Sequence, residues 1–189
     1  MSAPNAGSRS VSLGAARRPA AVTAAGVVGF AVAIALAAQV SIPIPGTPVP
    51  ITLQPMLVVL AGLTLGPAAA ASSMVLYLLA GAAGLPVFTP QGAPGLLRFM
   101  GPTGGYLLAY PLAAWVAGRL SSGSKRYAVR ALAAIAGMAV LYTGGLAQLT
   151  LLTGSLSSAA LLGLLPFVGL DVLKALAAAA LAPARRVGG

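Results

Sequence analysis

The sequence predicts an all-α integral membrane protein, folded as one bundle of six transmembrane helices. Three observations carry that prediction. Of 189 residues, 59% are hydrophobic and only 6% are charged, whereas a soluble domain carries about 25% charged side chains. The mean hydropathy of +0.98 agrees. The apolar residues are gathered into runs of roughly 17–25, the length needed to cross a hydrocarbon core about 30 Å thick. Finally, the basic residues sit at the ends of those runs and alternate in density from one connection to the next.

The elements follow in order. Residues 1–18 read as a disordered basic tail, 19–183 as the membrane domain and 184–189 as a short C-terminal tail. Clear spans cover 20–41, 67–83, 102–119 and 131–152. A shorter apolar segment, 53–65, ends at Gly66-Pro67, where one helix stops and the next starts with proline at a tolerated N-terminal position. The last helix begins near Pro166 and runs to 182, with 153–165 as a short lead-in. No internal repeat is visible.

Six spans put both termini on one side, and the charges then sort cleanly. Arg9, Arg17 and Arg18, then Arg119, Lys125, Arg126 and Arg130, then Arg185 and Arg186 all fall on that side. The connections on the other side hold Arg98 alone. Nine against one obeys the positive-inside rule and makes the termini cytoplasmic; a miscount by one helix would scramble the asymmetry. A cleaved signal peptide over 1–40 fits less well, because its apolar run exceeds the usual 7–15 residues. Removing it would also put the basic tails on opposite sides.

Composition excludes much chemistry. There is no His, no Cys and a single acid, Asp171. Ser-His-Asp and Cys-His nucleophiles, paired-carboxylate glycosidases and His/Cys metal centres are therefore ruled out. So is two-metal phosphoryl transfer. No G-x-x-x-x-G-K-[ST] loop occurs, so the chain has no ATPase motif of its own. The net charge of +10 flanks the spans instead of forming a nucleic-acid patch. No enzyme, metal or cofactor is expected.

Against this apolar background, a few polar residues stand out. Asp171 and Lys174 lie three apart in the last helix, on one face and within reach of each other. Charges inside a membrane are costly and commonly line a path or site; the helix dipole favours an ionised Asp171 near the N-terminus. The pair reads either as a structural ion pair or as ligand contacts, or as both. Arg98 offers a guanidinium fork suited to a carboxylate, or snorkels at the interface. With Lys174 it gives two cations against one anion, which implies an anionic solute on the exterior side.

Residues 41–55 contain five prolines, which forbid helix and fix an extended course. With apolar Ile42, Ile44, Val49 and Ile51, this connection reads as a lid over the exterior end, or as a rigid turn. Gly101-Pro102-Thr103-Gly104-Gly105-Tyr106 opens helix four, where its glycines allow close backbone approach to a ligand or to a neighbouring helix. Helix one carries Ala31-x-x-x-Ala35 and Ala33-x-x-x-Ala37, small residues spaced for close helix contact and for docking another membrane protein.

Six blocks then recur in a familiar order. They are Pro48-Val49-Pro50-Ile51-Thr52-Leu53-Gln54, Ala61-Gly62-x-x-Leu65-Gly66-Pro67, Tyr77-Leu78-Leu79-x-Gly81, Gly84-Leu85-Pro86-Val87-Phe88, Gly101 to Tyr106, and Pro166-Phe167-x-x-x-Leu170-Asp171-x-x-Lys174-Ala175. Together, over about residues 25–182, the sequence resembles the BioY family, the biotin-specific substrate-binding (S) components of energy-coupling factor (ECF) transporters.

That resemblance implies the S-component fold in a prokaryotic cytoplasmic membrane, with biotin held near the exterior face under the first loop. It implies a partner T component and two cytoplasmic ATPases, which power uptake by toppling the S component; some members work without dedicated partners. Biotin would offer ureido N–H donors to Asp171 and its carbonyl to Lys174. Its carboxylate would meet Arg98 or Lys174, and its thiophane and methylenes Phe88, Tyr106 and the lid. Gln54 and Thr52 complete the expected contacts, with Gln91 from a loop that varies in the family. The alternatives are an S component for another vitamin, or an intramembrane scaffold with a structural Asp–Lys pair. A secondary transporter fits less well, because only one intramembrane acid is present to carry protons and no paired repeats are seen.

Overall fold

The structure, a computed structural model, describes residues 19–183; the tails expected at 1–18 and 184–189, with their five arginines, lie outside the described residues. The described chain is all-helical. In order it forms α1 (Ala20–Gln39), α2 (Gln54–Leu65), α3 (Pro67–Ala82), a 3-10 helix (Gly95–Met100), α4 (Gly104–Leu120), α5 (Tyr127–Thr153), α6 (Leu156–Gly163) and α7 (Val168–Leu181). The nearest approach to sheet is an isolated antiparallel bridge between Ile42 and Ile51 in the first connection.

Packing here is inverted relative to a soluble bundle. The interior is built from small residues, with Ala61, Ala70, Ala113, Ala114, Ala134 and Ala178 fully buried. The outer surface carries the large ones, among them Leu36, Leu79, Leu132, Leu151 and Leu173. In water such a surface would be an aggregation hazard. In lipid it is expected, because apolar burial drives little association there and close van der Waals packing of small side chains takes over. Helix α2 sits centrally, touching α1, α3, α4, α5 and α7. Helices α4 and α5 come closest at Gly105 and Gly144, where a Cβ on Gly144 would stand 2.5 Å from the Gly105 carbonyl oxygen. Gly105 therefore serves helix packing, whereas Gly104 makes room for the Phe99 backbone of the preceding 3-10 helix.

Helix lengths depart from the sequence reading in instructive places. α5 begins at Tyr127, four residues before the apolar run, because helix geometry continues past the bilayer edge into charged sequence. Arg130 lies within it and donates to the Ala182 carbonyl, tying α5 to the end of α7. α5 and α1 are each long and apolar enough to cross a membrane, whereas α2 and α3 are shorter apolar helices. The lead-in at 153–165 is itself a helix, α6, capped by Ser155. α6 and α7 meet at a 56° bend, where Pro166 lacks the N–H needed to continue a helix.

Within α1, Ala31 is buried in the core and Ala35 packs against it, so the first small-residue stripe is used inside this chain. Ala33 and Ala37 are half-buried. α1 leans only on α2 and α3, which leaves Val22, Val28, Val32 and Leu36 facing outward.

Candidate functional site

The α6–α7 bend places Asp171 in the first turn of α7, where the helix dipole favours its carboxylate. Lys174, one turn later on the same face, donates to Asp171 Oδ1 at 2.8 Å. The other oxygen, Oδ2, accepts the Tyr142 hydroxyl at 2.6 Å from α5. Both charges are buried, yet each has a partner, as buried charges must. The pair forms as the spacing predicts, and it lines a cavity.

That cavity spans about 720 Å³ of empty space, its solvent-open part included. The structure brings seven of the expected contacts to it: Asp171, Lys174, Arg98, Gln54, Tyr106, Phe88 and Thr52. Three rings run in series along one wall. Phe88 meets Tyr77 edge-on at 5.5 Å, and Tyr77 stacks on Tyr110 at 6.2 Å. Across from them, Tyr106 and Tyr142 pack edge-to-face at 6.4 Å, with the Tyr106 hydroxyl donating to the Gly163 carbonyl at 2.6 Å. The Thr52 hydroxyl accepts the Gln54 backbone N–H at 3.2 Å, which opens α2, and the Gln54 side-chain amide donates to the Tyr77 hydroxyl at 2.8 Å. The walls are thus largely aromatic, with polar groups at a few fixed points, as small-molecule sites generally are.

Arg98 sits at the Phe88 end of this series. It is carried by the 3-10 helix and is only 5% exposed, with its guanidinium carbon 5.9 Å from the Phe88 ring centre. One amino group donates to the Thr89 hydroxyl at 3.1 Å and to the Gln91 carbonyl; the other donates to the Thr89 carbonyl. Nε has no partner. Burial pulls the guanidinium below its ordinary pKa, with the neighbouring Tyr77 acting in the opposite sense; a guanidinium nevertheless stays charged in a protein. Arg98 is therefore a fixed, buried cation and does not snorkel.

Two expectations need correction. Gln91 does not line this cavity. Its side chain accepts the Ser41 hydroxyl at 2.5 Å and its carbonyl faces Arg98, because the 89–94 loop folds outward around the guanidinium. The first connection is a lid only in its second half: Val49, Pro50 and Ile51 line the cavity, whereas Ile42 is exposed. It is fastened at its base by Ser41 to Gln91 and at its tip by the Thr47 hydroxyl to the Leu162 carbonyl, at 2.5 Å.

Tyr142 was missed from the sequence. A tyrosine inside an apolar span needs a hydrogen-bond partner, and Asp171 is the only acid in the chain, so the signal was present. Met138 and Leu141 share its helical face and also line the cavity.

Comparison with known proteins bears on this arrangement. The family model for BioY matches residues 10–188. The chain belongs to the BioY family. Among BioY relatives, the probable biotin transporter BioY of Pyrococcus horikoshii is 40% identical over 153 residues, covering 81% of this chain and 89% of that protein. The biotin transporter BioY of Thermotoga maritima is 36% identical over the same shares, and that of Rhizobium etli is 37% identical over 75% of this chain and 80% of its own length. In three dimensions this BioY chain is similar to the S-component for biotin from an ECF-type ABC transporter, with a TM-score of 0.78, 26% identity, and coverage of 86% and 89% of the two chains.

Proposed function

We propose that this BioY-family chain is the biotin-binding S component of an ECF-type transporter and that the aromatic cavity holds biotin. The observation that carries the reading is a closed polar set, Tyr142–Asp171–Lys174, at one pole of an aromatic cavity whose other pole is the buried Arg98. A bicyclic urea with an acid chain matches that distribution. The ureido N–H groups donate to Asp171, and the ureido carbonyl accepts from Lys174. The thiophane lies among Tyr77, Tyr106, Tyr110 and Phe88, and the carboxylate approaches the Arg98 Nε–H.

The rest of the machine follows from what the chain lacks. With no ATP-binding loop, uptake draws on a partner T component and two cytoplasmic ATPases, unless the chain works alone. α1, peripheral and largely uncovered, is the docking helix, with Ala33 and Ala37 at the edge of its free face. Six passes through a prokaryotic cytoplasmic membrane, with both termini and the 120–126 turn inside, accord with the charge distribution. No metal or cofactor takes part; biotin is cargo.

Asp171→Asn tests the pole assignment. It keeps shape and removes the charge that strengthens two N–H bonds, so biotin affinity, measured by calorimetric titration of folded protein, falls by about 2–3 kcal/mol, or roughly 30- to 150-fold. Unchanged affinity would sink the assignment.

A further inference from the structure

A second chamber, with an empty volume of about 550 Å³, adjoins the first at the Arg98 end. The two share Pro50, Arg98 and Thr103 in their walls, and the outer one is completed by the lid's Pro48 and by Gly92, Ala93 and Leu97. Neither Asp171, Lys174, Tyr106 nor Tyr142 reaches it. The outer chamber thus adjoins the first on the Arg98 side, away from the Tyr142–Asp171–Lys174 set.

Arg98 stands in the wall common to both. Both guanidinium amino groups are committed to Thr89 and Gln91, and this leaves Nε as the unpartnered nitrogen. Three of its five N–H donors are used in this way, which leaves Nε–H and one amino N–H for an acceptor. These donors serve an amide carbonyl as well as a carboxylate. The wall beyond Arg98 carries mainly proline, glycine and alanine, with Gln91 and Leu97 beside them.

We propose that the outer chamber accepts substituents on the ligand's carboxyl group, so that the protein binds amide-linked biotin conjugates, such as the lysine ε-amide, as well as free biotin. This rests on the biotin reading of the inner cavity and extends it to a substrate class. The ureido bicycle is read by Asp171, Lys174 and Tyr142, the amide carbonyl takes the Arg98 Nε–H, and the amine-derived portion lies between Pro48 and Ala93.

The test is competition against labelled biotin on the detergent-purified full chain, with biotin, biotin methylamide and the lysine ε-amide of biotin as competitors. Both amides are expected within about tenfold of biotin, the loss reflecting the weaker hydrogen bond to a neutral acceptor. Amides weaker by a hundredfold or more, with biotin still bound, would overturn this inference alone and leave the biotin reading standing. Failure of biotin itself to bind would remove both. Ala93→Trp, outside the inner cavity, supplies the second measurement: it is expected to weaken the lysine amide at least tenfold and leave biotin unchanged. Equal effects on the two ligands, or none on the amide, would contradict an outer-chamber seat.

Discussion

At the scale of single residues, the candidate site is a problem in satisfying one acid. Asp171 is the only carboxylate side chain in 189 residues, and its two oxygens are divided between Lys174 and Tyr142. Tyr142→Phe leaves Oδ2 one donor short. Because a hydrogen bond to a charged group contributes about 1.5–3 kcal/mol, the variant should melt at lower temperature in detergent. Its biotin affinity should fall only several-fold, since the bond is present with and without ligand. Thermal melts and titration of the same preparation check both, and an unchanged melt would remove Tyr142 from the polar set. Asp171, Lys174 and Arg98 were legible in the sequence because charge inside an apolar span is costly and so conspicuous. Tyr142 was less so: a tyrosine is ordinary in a membrane helix, and only its pairing with a residue 29 positions away gives it a role. Gln91 shows the converse, since a polar loop side chain can serve the loop itself.

At the scale of elements, the lid and the α6–α7 bend shape the cavity. The lid is stiffened by Pro43, Pro45, Pro48 and Pro50 and by the Ile42–Ile51 bridge, with both N–H···O bonds at 2.9 Å. Its tip is held to α6 by Thr47. Thr47→Val removes that bond, worth about 0.5–1.5 kcal/mol, so biotin should leave about two- to tenfold faster in a stopped-flow chase. An unaltered rate would mean that the tip contact does not hold the lid closed. Proline density made this segment legible as rigid and non-helical, but not which half turns inward, because both halves alternate proline with aliphatic residues. The 3-10 helix that carries Arg98 was invisible, since six residues with one charge give no periodicity to read. The start of α5 was missed because the end of an apolar run marks the edge of a bilayer and not the end of a helix.

At the scale of the whole molecule, an alanine core and a leucine coat specify a bundle meant for lipid, and the distribution of basic residues is the ground for the proposed orientation. The natural absence of cysteine makes that orientation directly measurable. In intact cells, an impermeant thiol reagent should label Pro45→Cys in the lid, whereas Ser122→Cys in the α4–α5 turn should react only after permeabilisation; the reverse pattern would invert the topology. Composition and block order made the helical membrane class and family legible, whereas the two adjoining cavities depend on tertiary contacts such as Arg98 to Thr89 and Gln91, which no local pattern encodes. The central claim, that this one chain carries a complete biotin site, is tested most directly by calorimetric titration of biotin into the purified single subunit, freed of co-purified ligand and shown to be folded, with thiamine as comparator. The account predicts tight one-to-one binding of biotin and none of thiamine. No heat of binding from biotin would contradict it.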